Sequence, residues 1–197
     1  TDGTDLLGGT GILQLIVLVV GLYVFIVLLR FLLQLTRADY YNPVSQLVVK
    51  ATNPPLTVLR RFIPRLSAFD LPTLILLIVL QMLHIALPAT ALNKDPAWLG
   101  LLILTPAKLL STAIWIFVFA LLIRAITSWF RGSAYHPLVA LVFTFTEPLL
   151  SPARRFMPAT PGLDLSPIAV FMFLMLTMNI VVHPLVNFGC SFIDICR

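Results

Sequence analysis

The stretch Arg60-Arg61-Phe62-Ile63-Pro64, followed by Asp70-Leu71, returns as Arg154-Arg155-Phe156-Met157-Pro158 and Asp164-Leu165. The offset is 94 residues, with no gap. Outward from it, the same offset pairs Asn53-Pro54 with Glu147-Pro148 and Tyr41-Asn42-Pro43 with Tyr135-His136-Pro137. It also pairs Arg30 and Arg37 with Arg124 and Arg131. Fifteen of the forty-three positions 30–72 are identical to their partners at 124–166. Shared hydrophobicity matches Leu with Leu by chance, but it does not align Arg, Pro, Asp and Tyr. The chain is a duplication, read as one repeat over 1–94 and a second over 95–197.

Long apolar runs flank each basic stretch. A helix needs about 20 apolar residues to cross a bilayer core of about 30 Å. Four runs qualify: 12–35, 71–92, 109–130 and 165–188. Pro106 and Lys108 interrupt a longer apolar stretch that begins at Trp98, so the third span is expected to start at Leu109. The first run is not read as a cleaved signal, because its N-terminal flank carries Asp2 and Asp5 and no basic residue. Each repeat then crosses twice, so both copies point the same way and are related by an axis along the membrane normal. The expected fold class is an all-α membrane protein, with four transmembrane helices from two parallel helix–amphipathic hairpin–helix repeats.

Composition agrees. Of 197 residues, 59% are hydrophobic and 11% charged, against about half and about a quarter in soluble domains. This excludes a soluble enzyme, a disordered chain and a basic nucleic-acid-binding domain. The net charge of +5 has a simpler source in membrane topology. Ten of the thirteen Lys and Arg lie in or beside the loops joining spans 1–2 and 3–4. The positive-inside rule is expected to place those loops in the cytoplasm and both termini outside.

The two connecting segments, 41–66 and 135–160, are more than loops. Val44, Leu47, Val48 and Ala51 carry the i, i+3, i+4, i+7 stripe of an amphipathic helix, and Leu138, Leu141, Val142 and Phe145 repeat it. Asn53-Pro54 and Glu147-Pro148 are expected to stop that helix and start a second one, with Asn53 as the better N-cap. The second helix is expected to end before Pro64 or Pro158. A helix pair of this kind lies in the interface, unless the hairpin re-enters the bundle under protein cover. Asp70 and Asp164 are expected to cap the following span and to pair with Arg60 or Arg61 and their repeat mates.

These motifs resemble the YggT family of small bacterial membrane proteins, which includes YlmG and chloroplast relatives. The resemblance rests on Tyr41-Asn42-Pro43, Asn53-Pro54-Pro55-Leu56, Arg60-Arg61-Phe62-Ile63-Pro64, Asp70 and their repeat copies. It marks Pro43, Pro54, Pro64, Asp70, Pro137, Pro148, Pro158 and Asp164 as structural motif positions. It implies no catalytic residue. Chloroplast relatives are linked to haem attachment and cytochrome b–f assembly, and bacterial ones to division and osmotic tolerance, with a connection to potassium uptake.

The residues themselves offer little chemistry. No Asp or Glu lies within any span as drawn, and there is no CxxC, HExxH or Gly-rich phosphate loop. Neither a cofactor nor a metal is expected. His84 and His183 are intramembrane and can be imagined as haem ligands, although the repeat preserves neither. A helix–helix hydrogen bond is the plainer role. Met172, Met175 and Met178 read as packing. Cys190 and Cys196 are either disulfide-bonded or two free thiols.

The expected function is a non-enzymatic assembly or organising factor. Arg60, Arg61, Arg154 and Arg155 would contact anionic lipid or a membrane-protein partner, including a further copy of the chain, and no nucleic acid. An ion or solute pathway and a haem-handling factor are the alternatives.

Overall fold

The computed structural model describes residues 3–62, 70–91, 97–127, 136–156 and 166–193. Among them there is no strand. The helices are α1 (Gly3–Leu35), α2 (Pro43–Phe62), α3 (Leu71–Ala91), α4 (Trp98–Thr127), α5 (Pro137–Phe156), α6 (Ser166–Thr177) and α7 (His183–Cys190). A π-helical turn, Met178–Val182, joins α6 to α7 without a break. Four segments are long and apolar enough to cross a membrane: Gly11–Leu35, Leu71–Ala89, Trp98–Thr127 and Ser166–Cys190.

Two expected boundaries are corrected. The helix that holds the third apolar run begins at Trp98, because α4 runs continuously through Pro106 and Lys108. A proline removes one intrahelical bond and bends the helix without having to end it. Likewise α2 continues through Pro54 and Pro55, and α5 through Pro148 and Pro152. Each connecting segment thus holds one helix of 20 residues rather than two short ones, and Asn53 and Glu147 stand inside a helix rather than capping one.

The surface of the spanning helices is apolar. Leu15, Leu18 and Leu22 of α1, Phe119 and Leu122 of α4, and Phe173 and Ile180 of the last span are exposed. Continuous apolar exposure of this kind is costly in water and free in lipid, as a multi-pass membrane protein requires.

Inside, α1 packs along α3, and α4 along α6, the π turn and α7. Within each repeat, α2 contacts α1 and α3, and α5 contacts α4 and α6. The repeats meet through α1 with α4, α2 with α5, and α3 with α4. An ideal two-fold would also pack α6 and α7 on α1, yet among the described residues no extended contact joins them. One apolar cluster holds Val27, Leu28 and Leu32 of α1 with Leu77, Ile116 and Phe145. A second holds Ile114 and Val118 of α4 with Leu150, Val170, Leu174 and Val182.

The π turn has a local cause. His183 N–H bonds back to the Met178 carbonyl, five residues earlier. Pro184 follows, and a proline ring clashes with the carbonyl four residues before it. One extra residue in the turn relieves that clash.

Candidate functional site

The motif Tyr41-Asn42-Pro43 is a helix start. The Asn42 side-chain oxygen accepts the Val44 N–H at 3.0 Å, which is an N-cap, and Pro43 occupies the first helical position. His136 does the same for α5, its Nδ1 accepting the Leu138 N–H at 3.3 Å. Asn42 is also buried, and its amide donates to the Pro137 carbonyl at 2.6 Å. The cap of one repeat therefore holds the start of the helix in the other.

Midway along α2 lies the strongest polar feature of the fold. Arg30 of α1 is only 2% exposed. Its Nη1 donates to the Val49 carbonyl at 3.1 Å, Thr52 Oγ1 at 2.6 Å and Asn53 Oδ1 at 2.9 Å. Thr52 sends its own proton to the Val48 carbonyl at 2.8 Å, so its lone pairs face the arginine. The second repeat copies this arrangement residue for residue. Arg124 donates to the Phe143 carbonyl at 3.2 Å, Thr146 Oγ1 at 2.8 Å and Glu147 Oε2 at 3.1 Å. Thr146 donates to Val142 at 2.8 Å. All four partners stand 94 residues from their counterparts. A buried guanidinium is tolerated only with its hydrogen bonds made, and here each arginine clamps the middle of an amphipathic helix.

Side chains around the same clamps support the helices where the prolines interrupt their hydrogen-bond ladders. Pro55 cannot bond the Ala51 carbonyl, and the Tyr23 hydroxyl reaches that oxygen at 3.5 Å. Arg30 and Arg124 bond the carbonyls of Val49 and Phe143, next to those of Lys50 and Thr144 that Pro54 and Pro148 leave free, and so hold the backbone beside the gap. Arg124 also stands over the Phe143 ring, 4.4 Å from its centroid, and Phe117 stacks on Phe145 at 4.6 Å.

Asp70 joins three elements. Its Oδ2 accepts from Arg60 of α2 at 2.9 Å, Thr73 of α3 at 2.8 Å and Gln34 of α1 at 3.4 Å. Burial pushes the carboxyl up. The hydrogen bonds from Thr73 and Arg60, the Arg60 charge and Gln34 together outweigh that and hold it below the ordinary carboxylate range. In the second repeat, Arg154 pairs within its own helix with Glu147 at 2.7 Å. The expected pairing of Asp70 with Arg60 is thus present, while Asp164, Pro64 and Pro158 lie outside the described residues.

The four arginines expected to face lipid or a partner therefore divide. Arg60 and Arg154 are engaged in ion pairs, whereas Arg61 and Arg155 are exposed at the C-terminal ends of α2 and α5. Residue-by-residue reading singled out the double arginines and passed over Arg30, Arg124, Thr52 and Thr146 as site residues. The signal was present: all four are identical across the repeat, and an arginine at the edge of an apolar span needs acceptors.

His84 and His183 are not brought together. His84 lines a cavity at the other end of the bundle that does not include His183, and His183 is exposed. Met172 is exposed, whereas Met178 is buried and accepts the Ser111 hydroxyl at 3.7 Å. Cys190 is disulfide-bonded, and Cys196 lies outside the described residues. No group of three or more His, Cys, Asp or Glu able to hold a metal occurs among the described residues.

A family model, CCB3/YggT, matches the chain twice, over residues 9–91 and 103–185. The two matches are offset by the same 94 residues as the Arg30 and Arg124 clamps. The chain belongs to the CCB3/YggT family. Among its relatives, an uncharacterized protein of Pseudomonas aeruginosa is 42% identical over 166 residues, covering 83% of this chain and 84% of its own length. A Vibrio alginolyticus protein from the proC 3′ region is 40% identical over 157 residues, covering 76% and 82%. The uncharacterized protein YggT of Escherichia coli K12 is 34% identical over 157 residues, covering 79% and 81%. No solved structure matches. Membership of the CCB3/YggT family accounts for the duplicated architecture and assigns no reaction to it.

Proposed function

We propose that this chain is a non-enzymatic organising or assembly protein of the bacterial inner membrane. Its spanning bundle anchors α2 and α5, and these two helices hold anionic lipid or an acidic stretch of a membrane partner. The observation that carries the reading is the pair of arginine clamps, which fix α2 and α5 while Arg61 and Arg155 remain exposed at their ends. Each basic side chain beside an anionic leaflet is worth about 1 kcal/mol. With the basic helices at the cytoplasmic face, the positive-inside rule is satisfied.

The test is an Arg61→Gln, Arg155→Gln double variant, extracted in native lipid without detergent and compared with the parent chain. The expected result is loss of the stoichiometrically attached partner or anionic lipid, failure to complement a deletion, and an unchanged circular dichroism spectrum. Full complementation with the same attached species would sink the proposal.

A further inference from the structure

At the end of the bundle away from α2 and α5 lies a cavity of about 620 Å³ between α1, α3, α4 and α7. Lys108 on its wall is 16 residues from Arg124, or about 24 Å along α4. Among the described residues, four polar side chains from three apolar elements line it: Gln81 and His84 of α3, Lys108 of α4 and Asn187 of α7. Gln81 is only 4% exposed. Polar side chains inside spanning helices are costly unless something uses them. The duplication does not explain them, because Gln81 and His84 stand opposite Met175 and Met178 in the other repeat. His84 also packs closely on α1, where a Cβ on Gly21 would come within 2.9 Å of its Nε2.

Among the described residues, Lys108 is the one charged side chain in the lining. The remaining polar groups are two amides and an imidazole, all able to donate hydrogen bonds. The other walls, Leu104 and Val186 among them, are apolar. We propose that this cavity binds an anionic amphiphile. Its phosphate or carboxylate sits against the Lys108 ammonium and the Gln81, His84 and Asn187 donors, and its hydrocarbon lies on the apolar walls. The site is separate from the basic ends of α2 and α5.

Native mass spectrometry of the full chain in detergent tests this, with dioleoyl phosphatidylglycerol, dioleoyl phosphatidylcholine, oleate and inorganic phosphate as separate probes. The expected result is one phosphatidylglycerol or oleate bound per chain, at least tenfold more tightly than phosphatidylcholine. Preference between those two tells a phosphate headgroup from a carboxylate. Lys108→Gln should weaken binding about tenfold and Lys108→Arg less than threefold. Gln81→Leu should weaken it, and all of these effects are read in the Arg61→Gln, Arg155→Gln background, where any lipid held at α2 and α5 is lost and the one in the cavity remains. Lys108 is exposed, so its variants keep the fold, which circular dichroism checks. Equal binding of both phospholipids, or unchanged binding in Lys108→Gln, overturns the proposal, as does inorganic phosphate binding as tightly as phosphatidylglycerol.

Discussion

Asp70 shows how much one side chain carries. Three donors from α1, α2 and α3 converge on one of its oxygens. Removing the charge should therefore loosen three elements at once. Asp70→Asn is expected to lower the unfolding free energy at neutral pH by about 2 kcal/mol, the range for hydrogen bonds to a charged group. The sign with pH follows from the depressed carboxyl. Its contribution is complete above the unfolded value of about 4 and is lost as pH falls through the lower folded value. Unfolding midpoints in detergent should thus fall on acidification below about pH 4, with a smaller fall in Asp70→Asn. An equal acid response in both proteins would refute this. The pairing of Asp70 with Arg60 was legible, since an acid before a span and a base after a helix attract whatever the route between them. The contributions of Gln34 and Thr73 were not, because they depend on where α1 and α3 cross.

At the scale of elements, the helices were legible and their continuity was not. Hydrophobic periodicity found α2 and α5, and the repeat showed that they were alike. Asn53-Pro54 was misread because Asn followed by Pro is a good helix start when no outside donor is available. Tyr23 of α1 supplies a donor to the carbonyl that Pro55 leaves free and Arg30 grips the adjoining turn, both across 19 or more residues of chain, and no local pattern reports that. The real start lies at Asn42-Pro43, and Asn42 ties it to the other repeat. Asn42→Ala should cost about 1 kcal/mol as a lost cap, with a further loss from the Pro137 carbonyl left unpaired. Hydrogen exchange should speed up at the starts of both α2 and α5. Faster exchange confined to α2 would show that the cross-repeat bond contributes nothing.

Across the whole molecule, helices meet tightly where small residues allow it, and the second repeat shows this within itself. Gly100 of α4 lies against Ile193, and Gly189 of α7 against Leu104. A Cβ at Gly189 would approach Leu104 Cγ to 2.7 Å, so α4 and α7 owe their separation to a missing side chain. Gly189→Ala is expected to lower stability by about 1–3 kcal/mol, the usual cost of overpacking, read as an earlier thermal midpoint. An unchanged midpoint would mean that the two helices simply slide apart. No regular motif announces this contact, since the two glycines belong to different elements. The four spans and their parallel duplication, by contrast, were written in apolar run lengths and in one constant offset.

The π turn gives the two halves a difference in phase. From Arg30 through Asp70 the copies keep step, and an experiment on one half speaks for the other. Beyond Met178 the last span carries an inserted residue, while α3 at the matching positions, from His84 onward, is regular α-helix. One residue turns a helix by about 100°, so side chains that align in sequence there face different neighbours in space. Inference by analogy between the halves therefore holds at the arginine end and expires at the cavity. The molecule is a twin at one pole and an individual at the other.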